Sequence, residues 1–323
     1  MLRQSCNTDH FDPQATEGRL SFSYHNRSIS FQAAFLPGPD GDFITIKQHI
    51  SSHIPSRLIE LNLPTKQETA FSNLARKKQG ISFFASRNKQ ERCRFMDLML
   101  EEADTNGKQV IILGDGPGRM NKHFPRIILP RSETERARTI MDVLDHDPDI
   151  LVIEDATEAM PFTAACRAAM RGKLVLAGLE IRGTSNVLQH LLIYQQKNYF
   201  LPIFVNGLIS FKGIQILCPE CRFDYLPPIE ELTLMSLKDP PKGFFRTRGC
   251  DVCGHSGFTE RKFLMDTIEF NPDFLDIFEQ STDLKQLSNY MESAGYHSIK
   301  LQGQALLREG KVSPEEYIAS VLF

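Results

Sequence analysis

The chain has 323 residues, enough for about two domains of ordinary size. Hydrophobic residues make up 41% and charged residues 24%, which excludes a disordered or fibrous chain. Against 40 acidic residues stand 37 basic ones, and a net charge of −3 gives no electrostatic case for a dedicated nucleic-acid or membrane-surface binder.

No apolar run approaches the roughly 18–20 residues of a membrane span, and Met1–Asn7 lacks a signal-peptide hydrophobic stretch. The expected location is therefore the cytosol. Of the seven cysteines, four form two C-x-x-C pairs, which in a reducing compartment favours metal ligation over disulfides.

From Leu20 to Lys47 apolar residues alternate with the two-residue period of half-buried strands: Leu20, Phe22, Tyr24; Ile29, Phe31, Ala33, Phe35; then Phe43. His25–Arg27 and the turn-rich Pro37–Asp42 separate three strands into an antiparallel meander, too short to stand without cover. Thr65 three residues before Glu68 reads as a capping box for a helix carrying Phe71 and Leu74 and stopping at Gly80.

Beyond Gly80, short apolar runs alternate with helical patterns: Ile81–Ala85, Val110–Leu113, Ile127–Leu129, Ile150–Ile153, Leu174–Leu179 and Ile214–Leu217. That alternation predicts a mostly parallel sheet covered by helices. Ser132 and Glu135 suggest a second capping box, followed by Ala137, Ile140, Met141 and Leu144 at helical spacing. Near the end, Ser313 is a good N-cap, with Pro314 in the first turn and Tyr317, Val321 and Leu322 as an apolar stripe.

The strongest chemical signal is Cys218-Pro219-Glu220-Cys221, followed after 28 residues by Cys250-Asp251-Val252-Cys253. Two such knuckles place four thiolates at tetrahedral corners, and four protein ligands leave no open position, so the metal would build fold rather than catalyse. A redox dithiol or merely buried cysteines are the alternatives, and His255 leaves room for a mixed ligand set. The acidic, Pro-rich Phe223–Glu231 segment argues against a nucleic-acid-reading ribbon.

Taken in order, Asp147–Val152, Gly172–Leu176 and the paired C-x-x-C with Gly254-His255-Ser256-Gly257-Phe258 resemble the type II secretion and type IV pilus assembly ATPases. Gly18-Arg19-Leu20, Ile29–Phe31 and Leu36-Pro37 are similar to the latter half of that family's N-terminal regulatory domain. Leu306–Gly310 through Glu316 is similar to its C-terminal helices. The resemblance implies an α/β, RecA-like P-loop-type core at 80–323 with a four-cysteine zinc subdomain at 216–262, a helical joint at 53–79, and a small antiparallel β module at 1–52.

In that family a phosphate loop, G-x-x-x-x-G-K-[ST], follows the first strand of the core. Here the stretch reads Ala85-Ser86-Arg87-Asn88-Lys89-Gln90-Glu91-Arg92-Cys93, with Ser86 and Glu91 in place of the glycines, Arg92 in place of the lysine and Cys93 in place of the hydroxyl. Left-handed strain, a lost charged hydrogen bond and Glu91's repulsion of phosphate together exceed about 4 kcal/mol, or roughly a thousandfold in affinity. By the same comparison Asp155, after Glu154, stands for the Walker B carboxylate, one methylene shorter. Lys173 and Glu180 replace the histidine-box residues, Gln32 and Lys47 replace nucleotide-reaching arginines, and of the acidic box only Asp115 survives.

Two local features have rival readings. Gly114-Asp115-Gly116-Pro117-Gly118 is either a displaced phosphate loop or a surface turn, and the poor helix start after it favours the turn. Seven basic residues from Arg76 to Arg94 are either a docking patch or a solvated face.

The resulting expectation is a non-catalytic relative of these ATPases that retains an assembly or regulatory role. Its cofactor is one structural Zn2+, with ATP and Mg2+ weak or absent. Its expected partners are an inner-membrane platform protein or an active paralogous ATPase, without nucleic acid. Its place is the cytoplasm or the cytoplasmic face of the inner membrane. The alternative is an ATPase working through Arg92, Asp115 and Asp155.

Overall fold

The computed structural model describes residues 16–24, 27–39, 41–49, 57–114, 123–130, 132–197, 200–235, 237, 241, 243–296 and 298–322. The chain separates into two compact units, Met1–Ile54 and Pro55–Phe323.

In the smaller unit, β1 (Thr16–Tyr24), β2 (Arg27–Gly38) and β3 (Gly41–His49) form an antiparallel sheet in sequential order, as the alternation predicts. Phe31, Ala33 and Phe35, spaced by two, make its apolar cluster. Gln32 and Lys47 are direct cross-strand partners.

The larger unit opens with α1 (Thr65–Ala75) and β4 (Gly80–Ala85), then α2 (Lys89–Glu102), β5 (Val110–Leu113), β6 (Arg126–Ile127), α3 (Glu133–Val143) and β7 (Ile150–Ile153). It continues with α4 (Ala159–Met170), β8 (Leu174–Leu179), α5 (Thr184–Lys197), a helical turn at Leu201–Phe204, β9 (Val205–Leu217) and the ribbon strand β10 (Arg222–Tyr225). After α6 (Ile229–Met235) and β11 (Phe244–Thr247) come β12 (Phe258–Glu269), α7 (Pro272–Gln280), α8 (Leu284–Ser293), α9 (Ile299–Arg308) and α10 (Pro314–Tyr317).

A seven-stranded sheet in the order β12-β9-β4-β8-β7-β5-β6 forms its centre. The six strands from β9 to β6 are parallel, and β12 runs antiparallel to β9. Strands β4, β5, β7 and β8 are buried at every residue because helices cover both faces, so they read as continuous apolar runs rather than alternation. Phe83 of β4 stacks on Phe162 of α4 at 5.3 Å, tying the sheet to that layer.

Several sequence expectations need correction. The run at 127–129 contributes only a two-residue edge strand. Ile214–Leu217 is the tail of a 13-residue strand that begins at Val205, and the long antiparallel β12 beside it was not anticipated. Thr65 is the first helical residue rather than the cap. Pro64 holds the cap position, makes no side-chain capping bond, and the helix ends at Ala75 rather than Gly80. Ser132 occupies its cap position without a capping bond, and the Glu133 carboxylate instead accepts the Met160 N–H at 2.9 Å across to α4. Ser313 does cap as expected, accepting the Glu316 N–H at 3.2 Å.

Residues 65–77 are part of the larger unit. The Gln67 carboxamide accepts the Thr267 N–H, and Asn73 and Lys77 both reach the Glu269 carboxylate on β12, at 3.0 and 3.3 Å.

Candidate functional site

Strand β4 ends at Ala85 on the carboxyl edge of the sheet, where doubly wound folds bind ligands. Three residues lead into α2. Asn88 caps the helix with its side-chain oxygen, accepting the N–H groups of Gln90 at 3.0 Å and Glu91 at 3.2 Å, while the Ser86 hydroxyl accepts the Asn88 N–H at 3.2 Å. Two N–H groups that a phosphate loop aims at an anion are thus taken by the chain's own cap.

Arg92, one turn into α2, is fully buried. Its Nε donates to the Glu154 carbonyl at 3.0 Å and its Nη1 to the Ser86 carbonyl. The path between them runs over Gly178, where an added Cβ would lie 2.1 Å from the Glu154 carbonyl oxygen and 2.9 Å from Arg92 Nε. Glu91, also buried, pairs its carboxylate with Arg261 of β12 at 2.5 Å. Burial raises the Glu91 pKa, and the Arg261 and Lys212 cations oppose that rise.

The two acidic residues after β7 diverge. Glu154 is 1% exposed, lies over Gly114 where a Cβ would come within 2.2 Å of its Oε2, and pairs with Arg126 at 3.2 Å and Lys89 at 3.9 Å. Asp155 accepts the Thr157 N–H and hydroxyl at 3.1 and 2.6 Å and pairs with Arg136 at 3.6 Å. The carboxylate directed at the β4–α2 turn is therefore that of Glu154, because adjacent residues in extended backbone point to opposite sides.

Lys173 and Glu180 flank opposite ends of β8, seven residues apart and so separated by about 23 Å of extended chain. Lys173 pairs with Asp147, and the Glu180 N–H donates to Thr157 at 2.7 Å, so the two do not meet at one phosphate. Asp115 lies outside the described residues. The basic residues from Arg76 to Arg94 do not form one face: Arg92 and Arg94 are buried, while Lys77 and Lys89 pair with Glu269 and Glu154. Gly178, Asn88 and Arg261 escaped the motif reading. An isolated glycine inside the apolar run 174–179 was the available signal for the first.

The four cysteines converge as their spacing predicts. Their sulfurs lie within 4.8 Å of one another, with Cys218–Cys250 and Cys221–Cys253 at 3.9 Å and Cys250–Cys253 at 3.7 Å. A tetrahedron with metal–sulfur bonds of about 2.3 Å has edges of about 3.8 Å, so the cluster fits a metal ion. The Cys253 sulfur also accepts the N–H groups of Cys250 and Gly257 at 3.2 and 3.3 Å. Burial works against its ionisation, yet those donors bring its pKa down to about 6. His255 is exposed and pairs with Asp251 at 3.1 Å, outside the cluster, which removes the mixed ligand set. Cys93 and Cys166 are buried elsewhere.

Below the knuckles β10 and β11 form a two-stranded ribbon. Its arginines are spent internally: Arg246 lies 3.5 Å over the Tyr225 ring and Arg248 4.5 Å over Phe223, while Arg222 donates to the Gly310 carbonyl at 3.1 Å. No helix among the described residues is long and apolar enough to cross a membrane.

Comparison with known proteins places this architecture. The family model described as type II/IV secretion system protein matches residues 8–319. Type II secretion system protein E of Pseudomonas aeruginosa is 19% identical over 308 residues, covering 94% of this chain and 60% of that protein. The type IV pilus assembly ATPase PilB of the same organism is 22% identical over 190 residues, covering 58% of this chain and 33% of its own length. The chain spans about 60% of the length of the first of these relatives. Among solved structures, the ATPase DotB of Legionella pneumophila superposes with a TM-score of 0.60 at 13% identity, over 94% of this chain and 76% of that one. The pilus retraction motor PilT with bound ADP also gives 0.60, at 15% identity, over 94% and 77%.

Proposed function

The chain belongs to the type II/IV secretion system protein family, and from that premise we propose that it serves a secretion or pilus-assembly machine as a non-catalytic component. The observation that carries this reading is the state of Arg92. The residue standing for the phosphate-loop lysine is fully buried and donates to the Ser86 and Glu154 carbonyls. A guanidinium so engaged, with no exposed surface, presents nothing to a nucleotide. The Asn88 cap supports the reading independently, because it occupies the Gln90 and Glu91 N–H groups. Glu91 adds a buried carboxylate where phosphate oxygens would approach.

On this reading Cys218, Cys221, Cys250 and Cys253 hold one structural zinc ion, which supplies a cross-link between the two knuckles and no reaction chemistry. The protein works in the cytoplasm or at the cytoplasmic face of the inner membrane. An integral platform protein or an active paralogous ATPase is its partner, and its contribution is assembly or regulation rather than turnover.

The test is equilibrium titration with a fluorescent ATP analogue and magnesium, together with a phosphate-release assay. The expected result is neither micromolar binding nor release. Micromolar binding with turnover overturns the proposal in favour of an ATPase whose site uses Arg92, Asp115 and Asp155.

A further inference from the structure

A cavity of about 320 Å³ lies between α1, the end of β12 and the C-terminus of α8. It sits at the opposite end of the sheet from the β4–α2 turn. Glu269, on its wall, closes β12 and pairs with Gly207 near the start of β9, which in turn pairs with Ser82 near the start of β4. Pockets that hold small molecules run from about 300 to 1,000 Å³, and this one stands at the lower end of that range.

Much of the lining is apolar or neutral. Ala70 of α1, Ala294 just past α8 and Tyr296 supply apolar surface. Burial pushes the Tyr296 phenol up to about 12, so that wall carries no charge at ordinary pH. The Glu269 carboxylate is already committed, to Lys77 at 3.3 Å and to the Asn73 amide at 3.0 Å.

Two polar groups of the lining have no partner. Thr267 is 2% exposed, and its hydroxyl makes no hydrogen bond among the described residues, although its N–H donates to Gln67. A buried hydroxyl left in that state costs free energy that a bound polar atom recovers. Lys66, exposed at the rim, has neither an ion pair nor a hydrogen bond among the described residues. Its Nζ stands 3.6 Å from where a Cβ on Gly295 would lie, at the end of α8. The Tyr290, Met291 and Glu292 carbonyls there already accept the N–H groups of Ala294, Tyr296 and Gly295. With Glu269 offset by Lys77, Lys66 leaves the cavity one uncompensated positive charge.

We propose that this cavity binds a small organic acid, with its anionic head on Lys66, its apolar body against Ala70, Ala294 and Tyr296, and a polar atom on the Thr267 hydroxyl. A bare inorganic anion would leave both the apolar walls and that hydroxyl unmet. The site shares no residue with the β4–α2 turn or the four cysteines, and it stands whether or not the chain is catalytic.

Fluorescence titration of the full chain with 8-anilinonaphthalene-1-sulfonate, an aromatic monoanion whose anilino N–H offers the polar atom, tests this. One saturable site per chain is expected. Ala294→Trp fills the cavity from an exposed position and should weaken binding about tenfold. Lys66→Met should weaken it about fivefold and reduce its dependence on salt. Thr267→Val should weaken it about threefold while leaving the free protein at least as stable, because an unmet hydroxyl is removed. N-phenyl-1-naphthylamine, the same ring system without the sulfonate, should bind about fivefold more weakly than the acid. Ile229→Ser, on the exposed surface of α6, should leave affinity unchanged. Absence of saturable binding, equal affinity for the two dyes, affinity unmoved by Ala294→Trp and Lys66→Met, or loss of binding in Ile229→Ser overturns the proposal.

Discussion

Arg92 Nε and the carbonyl oxygen of Glu154 meet at 3.0 Å across the face of Gly178, joining the first turn of α2 to the end of β7. The Arg92 side chain is here a strut between two elements of the same unit. Burying a guanidinium is tolerable only because its hydrogen bonds are made.

Arg92→Ala should therefore act on stability. Two buried carbonyls lose a charged donor and a cavity opens, so a loss of about 3–5 kcal/mol is expected in urea unfolding. Binding of ATP analogues should stay as weak as before. A variant with undiminished stability would show that Arg92 is not the strut described.

Gly178→Ala tests the same junction from the other side. A Cβ 2.1 Å from the Glu154 carbonyl oxygen collides with backbone, which cannot swing away as a side chain does. A cost of at least about 1–3 kcal/mol is expected, with the thermal midpoint as readout.

For the metal centre, elemental analysis should return one zinc per chain. Cys250→Ser should release it and lower the thermal midpoint, and chelator should do the same to the wild type. Cys93→Ser and Cys166→Ser should keep the ion, since both thiols lie outside the cluster.

Asp266 on β12 supplies a pH dependence. It is 3% exposed, accepts the Thr184 hydroxyl at 2.5 Å, and burial raises its pKa from 3.8 to about 6 despite that bond. The folded state then holds the proton more tightly than the unfolded chain, so stability is greatest below the unfolded value and falls as pH rises through about 4 to 6. A shift of about two units corresponds to about 3 kcal/mol. The difference in urea stability between wild type and Asp266→Asn should change by that order between pH 4 and 7, with the variant gaining relative stability at the higher pH. A pH-independent difference would refute the assignment.

Assembly should be insensitive to nucleotide. Light scattering across protein concentration should give a monomer or a weak oligomer, with no rise in mass on adding ATP. A stable hexamer, or ATP-driven growth, would argue for a retained nucleotide-coupled interface.

Local patterns already determined much of this protein. The two C-x-x-C pairs announce a four-cysteine cluster that could hold a metal ion, because each knuckle is a short-range geometry and only the distance between knuckles depends on the fold. The apolar runs at 81–85, 110–113, 150–153 and 174–179 announce buried parallel strands because burial on both faces leaves no room for polar alternation. That no glycine stands between Ala85 and Cys93 is likewise visible residue by residue. Tertiary structure decided the rest. Whether Glu154 or Asp155 faces the β4–α2 turn depends on strand register, which a one-residue slip reverses. Lys173 and Glu180 look like neighbours in a motif, yet extended backbone carries them to opposite ends of β8. Arg92 could not be placed as a strut from its own segment, because both its acceptors and the glycine that admits it depend on how β4, β7 and β8 pair.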